Sequence, residues 1–121
     1  MMFAPDSFKR DPYGHLTNQG AHGGLVGVGL ALLALPILPP VAAWFAVVLG
    51  YFVIWEVVIG ARIKEGDLAP SWDWRDSIDD TGNVAGGAAV LIGALAWGYW
   101  AALGAFLVWG ASLALSTWRR K

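Results

Sequence analysis

Residues 81–118 read TGNVAGGAAVLIGALAWGYWAALGAFLVWGASLALSTW, and this stretch contains no Asp, Glu, Lys or Arg. A second uncharged stretch covers residues 12–55, so every charged residue lies in the termini or between Glu56 and Asp80. A charged side chain is costly in the hydrocarbon core of a bilayer, and one helical crossing needs about 20 apolar residues. The sequence therefore predicts an all-α protein, a polytopic transmembrane helical bundle.

The composition points the same way. The 121 residues are 57% hydrophobic and 14% charged, with a mean hydropathy of +0.55, whereas a soluble domain carries about 25% charged residues. Sixteen Gly favour close helix contacts, and eight Trp are typical of membrane interfaces. The absence of Cys excludes disulfides and thiolate metal ligands. A net charge of −1 argues against nucleic acid as a partner.

Proline and capping signals divide the chain into an N-terminal interfacial segment, residues 1–20, and one transmembrane domain, residues 21–121. Pro36 and Pro39 end the first helix, and Pro40 suits the first turn of the second. Ser77 and Asp80 have capping-box spacing, which predicts that the third helix starts there. The predicted helices cover about 21–37, 41–61, 78–98 and 102–118, with a polar loop at 62–77.

The number of crossings depends on residues 81–118. A single helix there would be about 57 Å long, against a core of about 30 Å. A turn between Trp97 and Gly104 would instead give four crossings as two hairpins, and Trp109 would then pack against a neighbouring helix. Three crossings are the alternative.

The distribution of basic residues favours four crossings. With four, all eight Lys and Arg fall on one side, whereas three crossings divide them five against three. The positive-inside rule therefore predicts cytoplasmic termini, in a bacterial or phage-encoded multi-pass protein of the inner membrane. The basic residues are Lys9, Arg10, Arg62, Lys64, Arg75, Arg119, Arg120 and Lys121.

Either topology brings three helix ends to one side of the membrane. These ends hold His22, Glu56 and the polar run Asp76, Asp79, Asp80 and Asn83. Glu56 lies inside an apolar run, and a carboxylate there indicates a functional site with a partner such as His22, Arg62 or Asn83. Two alternatives are that Glu56 reaches the interface and that Asp79 and Asp80 stabilise the helix dipole.

His22 lies among glycines at helical spacing, which predicts a smooth helix face with the imidazole directed into the bundle. Gly20, Gly23, Gly24 and Gly27 form this face. The ring is expected either to bond a backbone carbonyl or Glu56, or to serve as a ligand or acid–base group.

These residues resemble a known family pattern. Asp79-x-x-x-Asn83-x-x-Gly86, the preceding Glu56, and Asn18-x-x-x-His22 look like the VanZ-like superfamily of small four-helix membrane proteins. The chain departs from the family in lacking the opening Asp-Lys and the Gln that often follows the Glu, and its loop before Asp79 is longer. The resemblance implies an association with the cell envelope or with glycopeptide resistance.

The first functional hypothesis is a structural or accessory subunit that packs, within membrane lipids, against other membrane proteins or against copies of itself. The second is a ligand site formed by His22, Glu56, Asp79 and Asn83, which would bind a lipid head group or a divalent cation. The metal would be held by His22, Glu56 and Asp79, since hard cations prefer oxygen ligands. A holin-like pore former is the third. The sequence carries none of the common catalytic motifs, so no catalytic residue is assigned and an enzyme is not favoured.

Overall fold

The chain forms four helices in a computed structural model that describes residues 12–59 and 74–119. The first helix runs over Pro12–Ala21, continues as a π-helical segment over His22–Gly27 and ends over Val28–Ala34. The second runs over Pro40–Gly50 and continues as a π-helical segment over Tyr51–Ile59. The third is Trp74–Trp97, and the fourth is Tyr99–Trp118. The predicted all-α helical bundle is confirmed.

The two breaks between adjacent helices follow from proline and glycine chemistry. Pro40 occupies the first turn of the second helix, as predicted. Gly98 has φ 90° and ψ −171° and alone separates the third helix from the fourth. Non-glycine residues rarely adopt this conformation. The single helix through 81–118 that three crossings require therefore does not form.

Two helices begin earlier than the sequence indicates. The first begins at Pro12 rather than near residue 21, and the third begins at Trp74 rather than near residue 78. Ser77 therefore lies inside the third helix, where it is buried, and does not cap it. The capping spacing misled because i, i+3 pairs also occur on an interior helix face. The first eleven residues and most of the predicted polar loop lie outside the described ranges.

The third helix lies at the centre of the bundle and contacts the other three. Apart from Tyr51, the buried apolar core is made of small and medium side chains, and no Phe, Leu or Trp of the described residues belongs to it. Its members are Ala31, Ala43, Val47, Tyr51, Val84, Ala88 and Ile92. Small residues at these positions allow the helix axes to approach closely.

The closest approach is between the first and third helices, at three glycines. A Cβ atom on Gly87 would collide with the carbonyl of Gly23, and one on Gly27 would lie 3.1 Å from the backbone nitrogen of Ala88. The two backbones are thus in direct contact, which only glycine permits at these positions. The predicted glycine face on the first helix is confirmed at Gly23 and Gly27 but not at Gly20 and Gly24, where an added Cβ atom would meet no atom within 4 Å.

Of the described helices, Tyr99–Trp118 is long and apolar enough to cross a bilayer, judged by length and composition. Pro40–Trp55 is also apolar but shorter. These criteria account for one crossing and give weak evidence of membrane association; they do not account for four.

Candidate functional site

One face of the first helix is polar and buried, which is unusual in so apolar a chain. His15, Asn18, Gln19 and His22 follow i, i+3, i+4, i+7 spacing, so their side chains project from one side of the helix. All four are buried, and His15 and Gln19 are fully inaccessible. Buried polar groups need hydrogen-bond partners, and His15, Gln19 and His22 of this face have polar partners on the third or fourth helix.

Gln19 connects the first helix to two side chains of the third. Its amide nitrogen donates to a carboxylate oxygen of Asp80 at 2.5 Å. Its amide oxygen accepts a hydrogen bond from Nδ2 of Asn83 at 2.8 Å. Asp80 and Asn83 are three residues apart on one helix, so one glutamine can bond both.

Trp109 extends the network to the fourth helix. Its indole nitrogen donates to Oδ1 of Asn83 at 2.7 Å. The ring lies against Gly23 and Gly86, where an added Cβ atom would overlap the indole. The expectation that Trp109 packs against a neighbouring helix is confirmed, and the two glycines provide the space for the ring.

His22 makes contacts with all of the first three helices. Nδ1 lies 2.9 Å from the carbonyl oxygen of Asn18, and because a carbonyl only accepts, Nδ1 is the donor. Nε2 lies 3.5 Å from Oδ2 of Asp80. The ring meets Tyr51 of the second helix edge-on, with 6.2 Å between centroids. The predicted bond from the imidazole to a backbone carbonyl is confirmed.

A second polar contact joins the first helix to the end of the fourth. The hydroxyl of Ser116 donates to the carbonyl of Leu113 at 3.2 Å and lies 3.0 Å from Nε2 of His15. The polar face of the first helix is therefore held by the third helix at Asp80 and Asn83 and by the fourth at Ser116.

The structure brings together some of the four predicted site residues. His22 and Asn83 lie in one network, joined through Gln19 and Asp80. Asp79 contributes its backbone carbonyl, which accepts from Nδ2 of Asn83 at 2.8 Å, and it is the next residue, Asp80, whose carboxylate faces His22. Glu56 belongs to the π-helical segment of the second helix, and its side chain lies outside the described part.

The predicted metal trio of His22, Glu56 and Asp79 is not seen as a group. Within 12–59 and 74–119, no three His, Asp or Glu side chains are placed to hold a metal ion. Because the side chain of Glu56 is not among those described, the metal hypothesis stays a prediction.

Sequence reasoning missed Gln19 and Trp109 as members of the network. Gln19 carried a usable signal, since it is three residues before His22 and thus on the same helix face. Nothing in the sequence around Trp109 indicated its partner. A tryptophan in an apolar helix is more often positioned by the packing of its ring than by a hydrogen bond from its N–H group.

Two buried oxygens add to the hydrogen-bonding capacity of this region. Oδ1 of Asn18 and Oγ1 of Thr81 have no hydrogen-bond partner among the described residues. Polar interactions are stronger in such a dry interior than in water, and a buried acceptor without a donor is costly. The arrangement can therefore fix the helices relative to one another, and it leaves two buried acceptors unused.

Comparisons of the chain with protein-family models, with curated proteins and with solved structures find no match. The resemblance to the VanZ-like superfamily therefore stays a prediction that rests on the quoted residues.

Proposed function

We propose that the protein is a small integral membrane protein whose four helices cross the bilayer as two hairpins, with both termini cytoplasmic. Within the membrane it serves as a structural or accessory subunit that packs against other membrane helices. The buried polar network holds its own helices together, and its outer apolar surface meets lipid and partner helices.

The observation that carries this proposal is the inverted placement of polar and apolar side chains. His15, Gln19 and Asn83 are buried, whereas Leu33 and Val108 are more than 70% exposed. Soluble monomers rarely expose large contiguous apolar patches, and they place Leu and Val inside. A bilayer reverses the preference, because lipid accepts the aliphatic side chains and every polar group must be satisfied within the protein.

Helix lengths agree with a bilayer crossing. The fourth helix has 20 residues, and at 1.5 Å per residue it is about 30 Å long, the thickness of a hydrocarbon core. The third has 24 residues and carries its carboxylates in the first turns; the uncharged part after Asp80 is about 26 Å long, slightly less than the core.

The accessory role rests on the fourth helix. None of its residues is buried by the described parts of the chain, although it is strongly apolar. Its outward side presents Phe106, Leu107, Val108 and Trp118. Such a face can pack against another membrane helix without any rearrangement of the bundle.

Membrane insertion is tested by carbonate extraction and by reporter tags. One tag is placed at the N-terminus and a second within the connector at residues 62–73. We expect the protein to resist extraction and both tags to report the cytoplasmic side. Tags on opposite sides of the membrane would overturn the proposed topology.

The accessory role is tested by disulfide trapping. Because the chain contains no Cys, each variant has a single thiol. Val108→Cys places a thiol on the fourth helix, and Leu25→Cys places one at a similarly exposed position on the first helix. In native membranes under mild oxidation, a defined cross-linked species is expected with Val108→Cys and not with Leu25→Cys. Equal trapping at the two positions would indicate random collision and reject the packing face.

A second candidate function is supported by the burial of His22 and Asn83 in one network. His22, Glu56, Asp79 and Asn83 would bind a divalent cation or a lipid head group, since oxygen ligands with one imidazole suit such cations. Purified protein would be titrated with Mg²⁺, Mn²⁺ and Zn²⁺ and followed by thermal unfolding. Glu56→Gln and His22→Ala should each abolish a metal-induced rise in Tm, and an unchanged rise in both variants would reject this function.

A further inference from the structure

An imidazole and a carboxylate face each other across the contact between the first and third helices. Nε2 of His22 lies 3.5 Å from Oδ2 of Asp80. An ionised pair that shares a hydrogen bond is shorter, at about 2.7–2.9 Å. Two ligands of one tetrahedral zinc ion, with bonds of about 2.0–2.2 Å, lie about 3.4 Å apart. The separation therefore suits a metal ion held between the two groups.

Each of the two groups is oriented by a hydrogen bond at its other polar atom. Nδ1 of His22 donates to the backbone carbonyl of Asn18 at 2.9 Å, so in the neutral ring the lone pair is on Nε2. Oδ1 of Asp80 accepts from the amide nitrogen of Gln19 at 2.5 Å, and the other oxygen faces His22. Metal-binding imidazoles and carboxylates have outer partners of this kind. Nε2 and Oδ2 are then both acceptors, and a cation between them is favourable.

Two further oxygens belong to residues that adjoin this pair. Asn18 is 8% exposed, and its Oδ1 has no hydrogen-bond partner among the described residues. The same holds for Oγ1 of Thr81, the residue that follows Asp80. A bound ion or an ordered water commonly accounts for a buried acceptor of this type. Water on a metal ion has hydrogens that such oxygens can accept.

An ion can reach the pair from the Asp80 side. The side chain of Asp80 is 18% exposed, whereas that of His22 is 3% exposed. On its other side His22 borders an apolar groove of about 590 Å³ between the first and second helices. No residue that lines this groove carries a carboxylate. The groove therefore adds no charged ligand, and the route for an ion lies at the start of the third helix.

We propose that His22 and Asp80 bind a divalent transition-metal ion of the Zn²⁺ type. Nε2 and Oδ2 are the protein ligands, and water completes the coordination with Asn18 and Thr81 as hydrogen-bond acceptors. An imidazole nitrogen and a carboxylate oxygen are both common zinc ligands. The ion joins the first helix to the third at their shared end.

This site rests on the second candidate function and revises its ligands. Asp80 replaces Asp79, because the carboxylate of Asp80 is the one that lies 3.5 Å from the imidazole. Asn83 is not a ligand, since its Oδ1 accepts from Trp109 and its Nδ2 donates to Gln19. The two ligand sets therefore predict different effects for substitutions at neighbouring positions of the third helix.

The first test compares these two neighbours in the full-length protein, purified in detergent micelles, with Zn²⁺ as the probe. Isothermal titration calorimetry measures the affinity. Asp80→Asn keeps the size of the side chain and an oxygen for Gln19 but loses the charge. It should weaken binding by about 100-fold or more, because loss of even an outer partner costs about 10- to 100-fold. Asp79→Asn should stay within about threefold of the parent.

The second test compares the two histidines of the chain and remains available if Asp80→Asn does not fold. His15 and His22 are both buried on one face of the first helix, but the polar partner of His15 is the hydroxyl of Ser116. His22→Gln should weaken Zn²⁺ binding by about 100-fold or more, whereas His15→Gln should stay within about threefold of the parent. Circular dichroism of each variant confirms that its helix content equals that of the parent.

The calorimetry also separates this proposal from the function on which it rests. Zn²⁺ binding that is unchanged in Asp80→Asn, or that is lost in Asp79→Asn instead, overturns the proposed pair and leaves the cation-binding function standing. Equal losses in His22→Gln and His15→Gln indicate a general effect on the bundle and also overturn the pair. A parent protein that binds no Zn²⁺ rejects the pair, and no binding of Mg²⁺ or Mn²⁺ either rejects the cation-binding function as well.

Discussion

The third and fourth helices are both apolar and lie side by side, yet they differ in how far their side chains are buried. The third is surrounded by the other helices and buries Asn83, Val84 and Ala88, while the fourth has no buried residue. The bundle buries polar side chains that are hydrogen-bonded and apolar side chains that are mostly small, with Ile92 the largest that is fully buried, while it exposes many large apolar ones. This distribution is the one expected when the surrounding medium is lipid.

The largest effect is expected where the third helix touches the first. Gly87→Leu forces a side chain into the carbonyl of Gly23, so the two helices must separate, and overpacking of this kind costs about 3 kcal/mol or more. Unfolding in mixed micelles, followed by Trp fluorescence, measures the loss. Gly82→Leu is the control on the same helix, since a Cβ there meets no atom within 4 Å, and it should leave stability equal or up to about 1 kcal/mol higher. Equal effects of the two variants would contradict the close helix crossing.

The next effect is expected in the polar network. Asn83→Ala leaves Gln19 and Trp109 without their shared partner in a buried site, which should lower the free energy of unfolding by about 2 kcal/mol. Thr117→Ala is the comparison, because its hydroxyl bonds only a carbonyl of its own helix, and it should change stability by less than about 0.5 kcal/mol. Unfolding curves of both variants, recorded under identical conditions, give the two free energies of unfolding to be compared. A loss no larger than that of Thr117→Ala would show that the network contributes little.

A smaller effect on stability is expected at Gly98, the turn between the third and fourth helices. Gly98→Ala must adopt φ near 90°, a conformation that L residues rarely take, and should cost about 1 kcal/mol. Gly104→Ala lies in the fourth helix with open space around it and should be neutral or slightly stabilising. Thermal unfolding by circular dichroism distinguishes the two. An unchanged Tm for Gly98→Ala would indicate that the third and fourth helices join in another way.

The smallest effect is expected on the outward side of the fourth helix. Val108 is 73% exposed, so Val108→Ala should change the stability of the isolated protein by no more than about 0.5 kcal/mol. Val84→Ala is the buried counterpart on the third helix and should cost more than about 1 kcal/mol. Denaturation of both variants tests the contrast directly. A large loss for Val108→Ala would mean that this face is buried against a second copy in the sample.

Much of the fold was predictable because it depends on residues with restricted backbones. Pro40 begins the second helix, Gly98 follows the end of the third, and Gly23 and Gly27 of the first helix lie at the closest contact. The helix starts at Pro12 and Trp74 were not predicted, although Asp11 before Pro12 and Asp73 before Trp74 are residue types that favour a helix start.

The candidate site was predictable only in part. Helix direction alone indicates that His22 and the start of the third helix share one end of the bundle. The choice of Asp80 rather than Asp79 as the carboxylate facing His22 depends on helix rotation, which changes by about 100° per residue. The π-helical segment His22–Gly27 also changes the rotation of side chains around the first helix, and the residue types do not predict this segment.

The sequence by itself determined where charge is absent, where the helices break and that the first helix has glycines spaced for close contact. These features act through solvation and backbone sterics, which are local. Only the tertiary structure decided that Trp109 completes the hydrogen bonds of Asn83 and that a groove opens between the first and second helices. Both depend on how far and at what rotation the helices approach, and that is set by the sum of many contacts between residues far apart in the chain.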